Sequence, residues 1–203
     1  MIGSIAAVLV AAAITPGPNN LVVMSAAARE GLRGAVSPIF GIVTGTLVLV
    51  LAVQLGLNAV LAQWPSAVHV FRILAAGLLF YIGFRIVLSG WSDNSVSLKD
   101  EGRSLPLSSI KLFVAMLALQ IVNPKTWVLA ATVGTTYAAQ ERGSIVMLGV
   151  LTIAIPSLCL AVWAAGGLVL SPLMERTIPR RMFAVCAGGI LIGFAGMLAL
   201  SAS

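Results

Sequence analysis

Long apolar stretches alternate with short polar ones along this chain. A membrane span needs about 20 largely apolar residues. Six stretches reach that length: Ile2–Ala28, Ala35–Leu61, Val68–Ser89, Ile110–Ala138, Ser144–Ser171 and Met182–Leu200. The pattern predicts an all-α integral membrane protein with six transmembrane helices. The connections are short except for Gly90–Ser109, which holds Asp93, Lys99, Asp100, Glu101 and Arg103 and has loop composition. Residues 1–203 thus read as one transmembrane domain, with about 1–89 before that loop and about 110–203 after it. The first stretch is expected to stay in the membrane, because no basic residue precedes Arg29 and a cleaved leader needs a positive start.

Composition excludes the soluble alternatives. Charged residues make up 9% of the 203 and apolar residues 60%. A soluble domain carries about 25% charged residues. Twelve Lys and Arg against six Asp and Glu cannot cover a globule of this size in water, so neither a soluble enzyme nor a nucleic-acid binder is expected despite the net charge of +6. The solvent for most of the surface is lipid, and the basic excess is a topology signal. Arg29, Arg33, Arg85, Lys99, Arg103, Lys111, Arg176, Arg180 and Arg181 fall in the first, third and fifth connections; Arg72 and Arg142 fall in the second and fourth. Basic short loops stay cytoplasmic, which puts both termini outside. Trp64 and Trp91 sit at span ends, where an interfacial belt places them.

The first and fourth stretches are each interrupted by proline. The first reads Ile14-Thr15-Pro16-Gly17-Pro18-Asn19-Asn20 and the fourth Ile121-Val122-Asn123-Pro124-Lys125-Thr126-Trp127. Pro16 pairs with Pro124, Gly34 with Gly143, Ala76-Gly77 with Ala187-Gly188 and Gly83-Phe84 with Gly193-Phe194, all at nearly one offset. Two three-helix halves follow. An odd number of spans makes them enter the membrane from opposite sides, the inverted-repeat plan of secondary transporters with broken helices.

At about 1.5 Å per residue both prolines lie roughly 16–20 Å into their spans, near the middle of a core about 30 Å thick. Irregular backbone at that depth must be covered by protein or line a wet cavity. Asn123 before Pro124 reads as an N-cap followed by Pro at the first helical position, and Gly17 before Pro18 reads the same way. Two helix N-termini, each the positive end of a dipole, then face the membrane centre. With Lys125 beside them they suit a carboxylate. The carbonyls left at the ends of the preceding half-helices, with Asn19, Asn20 and Gln120, suit an ammonium. A zwitterionic amino acid uses both poles. Thr44, Thr46, Gln54 and Asn58 either line the cavity or bond helix to helix. His69 reads as an interfacial residue. Gly41-x-x-x-Gly45 and Gly189-x-x-x-Gly193 allow close helix approach, within the protomer or in a homodimer.

With these residues on the page, the sequence resembles the lysine-exporter (LysE/RhtB) family of amino-acid exporters. The resemblance rests on Thr15-Pro16-Gly17-Pro18-Asn19-Asn20 followed by an apolar run and Gly31, on Gly41 and Gly45, and on Asn123-Pro124-Lys125-Thr126-Trp127. Six spans in about 200 residues also match, so it covers nearly the whole chain. Within the family it is similar to the branch that exports homoserine, threonine and related amino acids. The resemblance implies an inner-membrane exporter of small amino acids or derivatives, cysteine and O-acetylserine included, driven by the proton gradient and needing no cofactor. Many members carry an acid after the second glycine; here Thr46 follows Gly45. All six acids, Glu30, Asp93, Asp100, Glu101, Glu141 and Glu175, lie in connections or at span ends. A cationic side chain on the substrate is therefore not favoured, and Lys125 is left as the deep titratable group.

Two alternatives use other residues. Cys159 and Cys186 suit a membrane thiol–disulfide carrier, although no C-x-x-C accompanies them. Divalent-metal efflux wants carboxylate or His ligands at membrane depth, for which the sequence offers only His69.

Overall fold

The computed structural model describes residues 2–56, 65–91, 109–138 and 144–200, without the side chains of 65–69, 71, 72, 75, 122, 124, 135 and 138. Asn58, Trp64, Asp93, Lys99, Asp100, Glu101, Arg103, Glu141, Arg142 and Gly143, and the side chains of His69 and Arg72, lie outside this set. The described residues form seven α-helices: α1 (Ile2–Ile14), α2 (Pro18–Gln54), α3 (Pro65–Ser89), α4 (Ser109–Val122), α5 (Pro124–Ala138), α6 (Ile145–Leu170) and α7 (Thr177–Leu200). A 3₁₀ turn, Ser171–Glu175, joins the last two. No strand occurs among the described residues.

Local chemistry sets the ends. Helix α1 stops before Thr15, because a residue preceding proline is pushed out of the helical region. Helix α2 opens on Pro18, whose missing N–H costs nothing at a first helical position, with Gly17 as N-cap in extended backbone. Its other end is closed by Gly56, whose φ of +93° glycine tolerates at little cost. The Ser144 hydroxyl caps α6 by accepting from the Met147 N–H.

The first expected connection takes a different form in the structure. The polar connection after Ala28 does not unwind over several residues; helix resumes after a single non-helical residue, Gly31, with φ +68° and ψ −166°. At 1.5 Å per residue this leaves segments of roughly 20 Å and 35 Å on its two sides. One glycine suffices because that backbone region is almost closed to other residues.

Three segments are long and apolar enough to cross a membrane: α2, α6 continued into the 3₁₀ turn, and α7. Helices α4 and α5 together also qualify, bent by 60° where they meet. Only 28–44% of the residues in these three apolar windows are buried. Phe40, Val128, Val146, Leu158, Val162 and Ile178 point outward. An outer surface of this kind belongs in lipid, and the chain is a multi-pass helical membrane protein.

Helix α2 packs against α4, α5 and α6; α3 packs against α7; α1 packs against α5 and α6. Close contacts need glycine at several crossings, of which two serve as examples. A Cβ on Gly45 would lie 2.8 Å from both Gln120 Cγ and the Leu117 carbonyl, and one on Gly83 would lie 2.7 Å from the Gly188 carbonyl. Gly189 and Gly193, which share the spacing of Gly41 and Gly45, have nothing within 4 Å of an added Cβ.

The buried apolar residues form two separate clusters. The larger includes Leu21, Val22, Ala35, Ile42, Ile86, Leu112, Met116, Leu119 and Leu191. The smaller is Ile5, Leu9, Leu49, Val50, Leu129, Ala130, Val133 and Leu148. Between them along α2, α4–α5 and α1 lie the residues of the two prolyl segments.

Candidate functional site

Where α1 gives way to α2, and α4 to α5, the chain brings polar side chains into a buried layer. Asn20, Thr46, Gln120, Asn123 and Thr126 are all buried there. An unpaired polar group in such a place costs about 1–3 kcal/mol, so the partners of each matter.

Gln120 is the hub and is wholly buried. Its Nε2 donates to Asn19 Oδ1 at 3.1 Å and to the Met116 carbonyl at 2.9 Å; its Oε1 accepts from Asn19 Nδ2 and Thr126 Oγ1, both at 2.9 Å. A primary amide has two donors and two acceptor sites, and here all four are used. The two-way amide pair Asn19–Gln120 ties the first prolyl segment to the second.

The end of α1 is saturated with donors. Thr15 Oγ1 donates to the Ala11 and Ala12 carbonyls. Asn20 Nδ2 donates to the Ala13 carbonyl at 3.0 Å and the Thr15 carbonyl at 2.9 Å. Trp163 Nε1 reaches the Ile14 carbonyl at 3.2 Å, and Lys125 Nζ donates to the Thr15 carbonyl at 2.8 Å. On the other side, Trp127 Nε1 donates to the Ile121 carbonyl at 2.6 Å. The expectation of free carbonyls at the end of α1 therefore needs correcting, because the chain's own side chains take them.

The two helix starts also differ from each other. At α5, Asn123 Oδ1 accepts from the Lys125 N–H at 3.1 Å, and the Asn123 carbonyl accepts from the Thr126 and Trp127 N–H groups. That end is capped from within. At α2 the N-cap is Gly17, which has no side chain to do this. Asn123 has a second feature: it is only 6% exposed, and its Nδ2 has no hydrogen-bond partner.

A cavity of about 40 Å³ opens between these groups. It is lined by Gly17, Pro18, Asn19, Asn20, Thr46, Asn123, Lys125 and Thr126 together with Ala12, Ala13, Ile42, Leu129, Pro156 and Leu160. Lys125 is the one ionisable residue in that lining. The space holds about three waters, at roughly 10–15 Å³ each, and is too small for an amino acid. Next to it a wider groove of about 480 Å³ runs between α1 and α5, lined by Val8, Ala11, Ala12, Lys125, Val128, Leu129 and Thr132.

Of the expected residues, Gly17, Pro18, Asn19, Asn20, Thr46, Asn123 and Lys125 meet at this cavity. Thr15 bonds to it through Lys125, and Gln120 supports it from behind through Asn19 and Thr126. Pro16 and Pro124 shape the turns. Gly41 and Gly45 let α4 approach α2 and do not line the cavity. Gln54 approaches Gly134 of α5 instead. Sequence reading missed Thr126, Pro156 and Trp163. A tryptophan away from a span end, as Trp163 is, was the available signal. Pro156, inside α6, removes the hydrogen bond to the Thr152 carbonyl, and the buried Thr152 hydroxyl has no partner either. Cys159 is a buried free thiol and Cys186 an exposed one. Among the described residues no three His, Cys, Asp or Glu side chains converge.

Known proteins resemble this chain over most of its length. It is 29% identical over 159 residues to the cysteine/O-acetylserine efflux protein of Escherichia coli strain K12, a match covering 76% of each protein. The protein of the same name from Shigella flexneri serotype 5b strain 8401 matches to the same extent. No solved structure matches. The model of the LysE type translocators matches residues 10–202, both prolyl segments included, and the chain belongs to that family.

Proposed function

We propose that this protein exports small neutral amino acids or their derivatives across the bacterial inner membrane. Cysteine and O-acetylserine lead the panel, since its relatives are named for them; homoserine and threonine follow from the motif resemblance. The observation that carries the reading is Asn123 Nδ2, a buried donor without a partner, on a residue that lines a cavity together with Lys125 and the uncapped start of α2. Buried polar groups in native proteins are nearly always satisfied, so this set is built for a ligand that brings acceptors. A carboxylate is that ligand. The small apolar residues in the lining, Ala12 and Ala13, suit a short side chain. The amino acid enters only when the cavity widens, as alternating access demands.

We read the architecture as two inverted three-helix halves. Helices α1 and α2 up to Gly31 form one broken span, and α4 with α5 the other. What supports this is the pattern of contacts: α2 beyond Gly31 packs on α4 and α5, while α6 packs on α1 and on both parts of α2. Both termini lie outside. The proton gradient supplies the energy, with Lys125 as the titrating group of the cavity.

Cells overproducing the protein should resist toxic external levels of these amino acids and hold less of them inside. Efflux matching the empty vector across cysteine, O-acetylserine, homoserine and threonine overturns the reading. Reconstituted vesicles then test coupling: uptake into inverted vesicles should follow an imposed pH gradient and vanish with a protonophore.

A further inference from the structure

The end of α1 holds five donor contacts from three neutral side chains and one from a cation. Thr15, Asn20 and Trp163 supply neutral N–H or O–H groups. Lys125 supplies an ammonium, and it comes from 110 residues away in the other half of the chain. A cation is the favoured partner of a helix C-terminus, where the dipole is negative. The lysine head group is a primary ammonium with three donors. The α-ammonium of an amino acid is the same chemical group.

We infer that the Thr15 carbonyl at the end of α1 is an ammonium subsite, and that Lys125 occupies it in place of the substrate. An incoming amino acid puts its α-ammonium on the Thr15 carbonyl and displaces Lys125 from it, while its carboxylate meets Asn123 and the start of α2. This rests on the export reading above.

Three observations fit together. The half-buried Lys125 ammonium has a hydrogen-bond acceptor in the Thr15 carbonyl, which offsets part of the cost of a charge at this depth. Gly17 leaves the room that the head group occupies, since a Cβ there would lie 3.3 Å from Lys125 Nζ. Finally, Lys125, Ala12 and Leu129 line both the cavity and the α1–α5 groove, so the lysine stem stands between the two spaces. Displacing it both seats the substrate and opens the way to the groove. A ligand with a carboxylate but no amine cannot do this; 3-mercaptopropionate is such a ligand, and selectivity against it follows.

The test separates binding from transport. Purified protein is titrated with O-acetylserine, and the same protein is reconstituted for transport. Lys125→Met keeps the length of the stem and removes the ammonium. It should bind O-acetylserine at least tenfold tighter than the parent, because no resident cation has to leave, while its transport rate collapses. Ethylammonium should compete with O-acetylserine in Lys125→Met and not in the parent. Binding that is unchanged or lost in Lys125→Met overturns the inference. If that variant does not fold, Lys125→Gln is titrated instead, with the same expectation and the same contrary outcome. A parent protein that binds and moves none of the amino acids defeats the export reading itself; a parent that does both, with no gain in the variants, defeats only the displacement by ammonium.

Discussion

Asn123 does two separable things with one side chain. Its Oδ1 caps α5 through the Lys125 N–H, and its Nδ2 is buried at the cavity wall without a partner. Aspartate caps as well as asparagine, and losing the cap to alanine costs about 0.5–2 kcal/mol. Asn123→Asp should therefore keep the thermal midpoint of the purified protein close to the parent's while losing export, since it replaces a free donor with a second negative charge where a carboxylate must sit. Asn123→Ala should lose both. An Asn123→Asp protein with full efflux would place the carboxylate elsewhere. Gln120 is the opposite case. With all four of its hydrogen-bonding positions used inside the protein, Gln120→Leu strands the Asn19 amide and the Thr126 hydroxyl. At about 1–3 kcal/mol for each stranded group, the folded fraction on size-exclusion chromatography should fall sharply. The sequence already marked both residues as polar and deep. It could not say that one is saturated and the other half empty, because that depends on which neighbours a 60° bend brings within 3 Å.

At the scale of the helices, glycine spacing is legible and its use is not. Gly41-x-x-x-Gly45 and Gly189-x-x-x-Gly193 look alike in the chain. In the fold the first faces Phe113, Met116, Leu117 and Gln120 of α4, and the second meets nothing within 4 Å. Overpacking a tight contact costs about 1–3 kcal/mol. Gly45→Ala should thus lower the thermal midpoint and, by pushing Gln120 away, lower transport as well. Gly193→Ala should leave both unchanged, and a loss there would reveal a partner on that face. Gly31 tests a different property. An added Cβ meets nothing there, so only backbone conformation opposes a side chain. Gly31→Ala should cost about 1–3 kcal/mol, read as a lower midpoint without the transport-specific loss of Gly45→Ala. The prolines at α1–α2 and α4–α5 were legible because proline excludes few alternatives from view: it stops the helix before it and starts the one after it. The single-residue turn at Gly31 was hidden, because the charges around it suggested a longer connection.

For the whole molecule, the two apolar clusters close the polar layer from opposite ends, and the distribution of charge says which end is which. The larger cluster takes in Ala35, Ile86 and Leu112, each beside or close to a basic residue, Arg33, Arg85 and Lys111. The smaller takes in Ile5, Leu9, Leu49 and Leu148, near connections whose only basic residues are Arg72 and Arg142, with Lys125 one turn from its Leu129. Because basic short loops stay in the cytoplasm, the larger cluster is the inner closure in the proposed topology and the smaller the outer one. The groove beside Lys125 shares Leu129 with the smaller cluster, and Val8 and Ala12 pack against it. It then lies on the exit side, as an exporter whose lysine guards release requires. Fusion reporters decide the matter. Alkaline phosphatase joined after Ser203 should be active and green fluorescent protein joined there dark, with the reverse for fusions after Trp91. If the carboxyl-terminal fluorescent protein is bright, the two closures exchange places, the groove faces the cytoplasm, and displacement of Lys125 becomes a step of substrate entry.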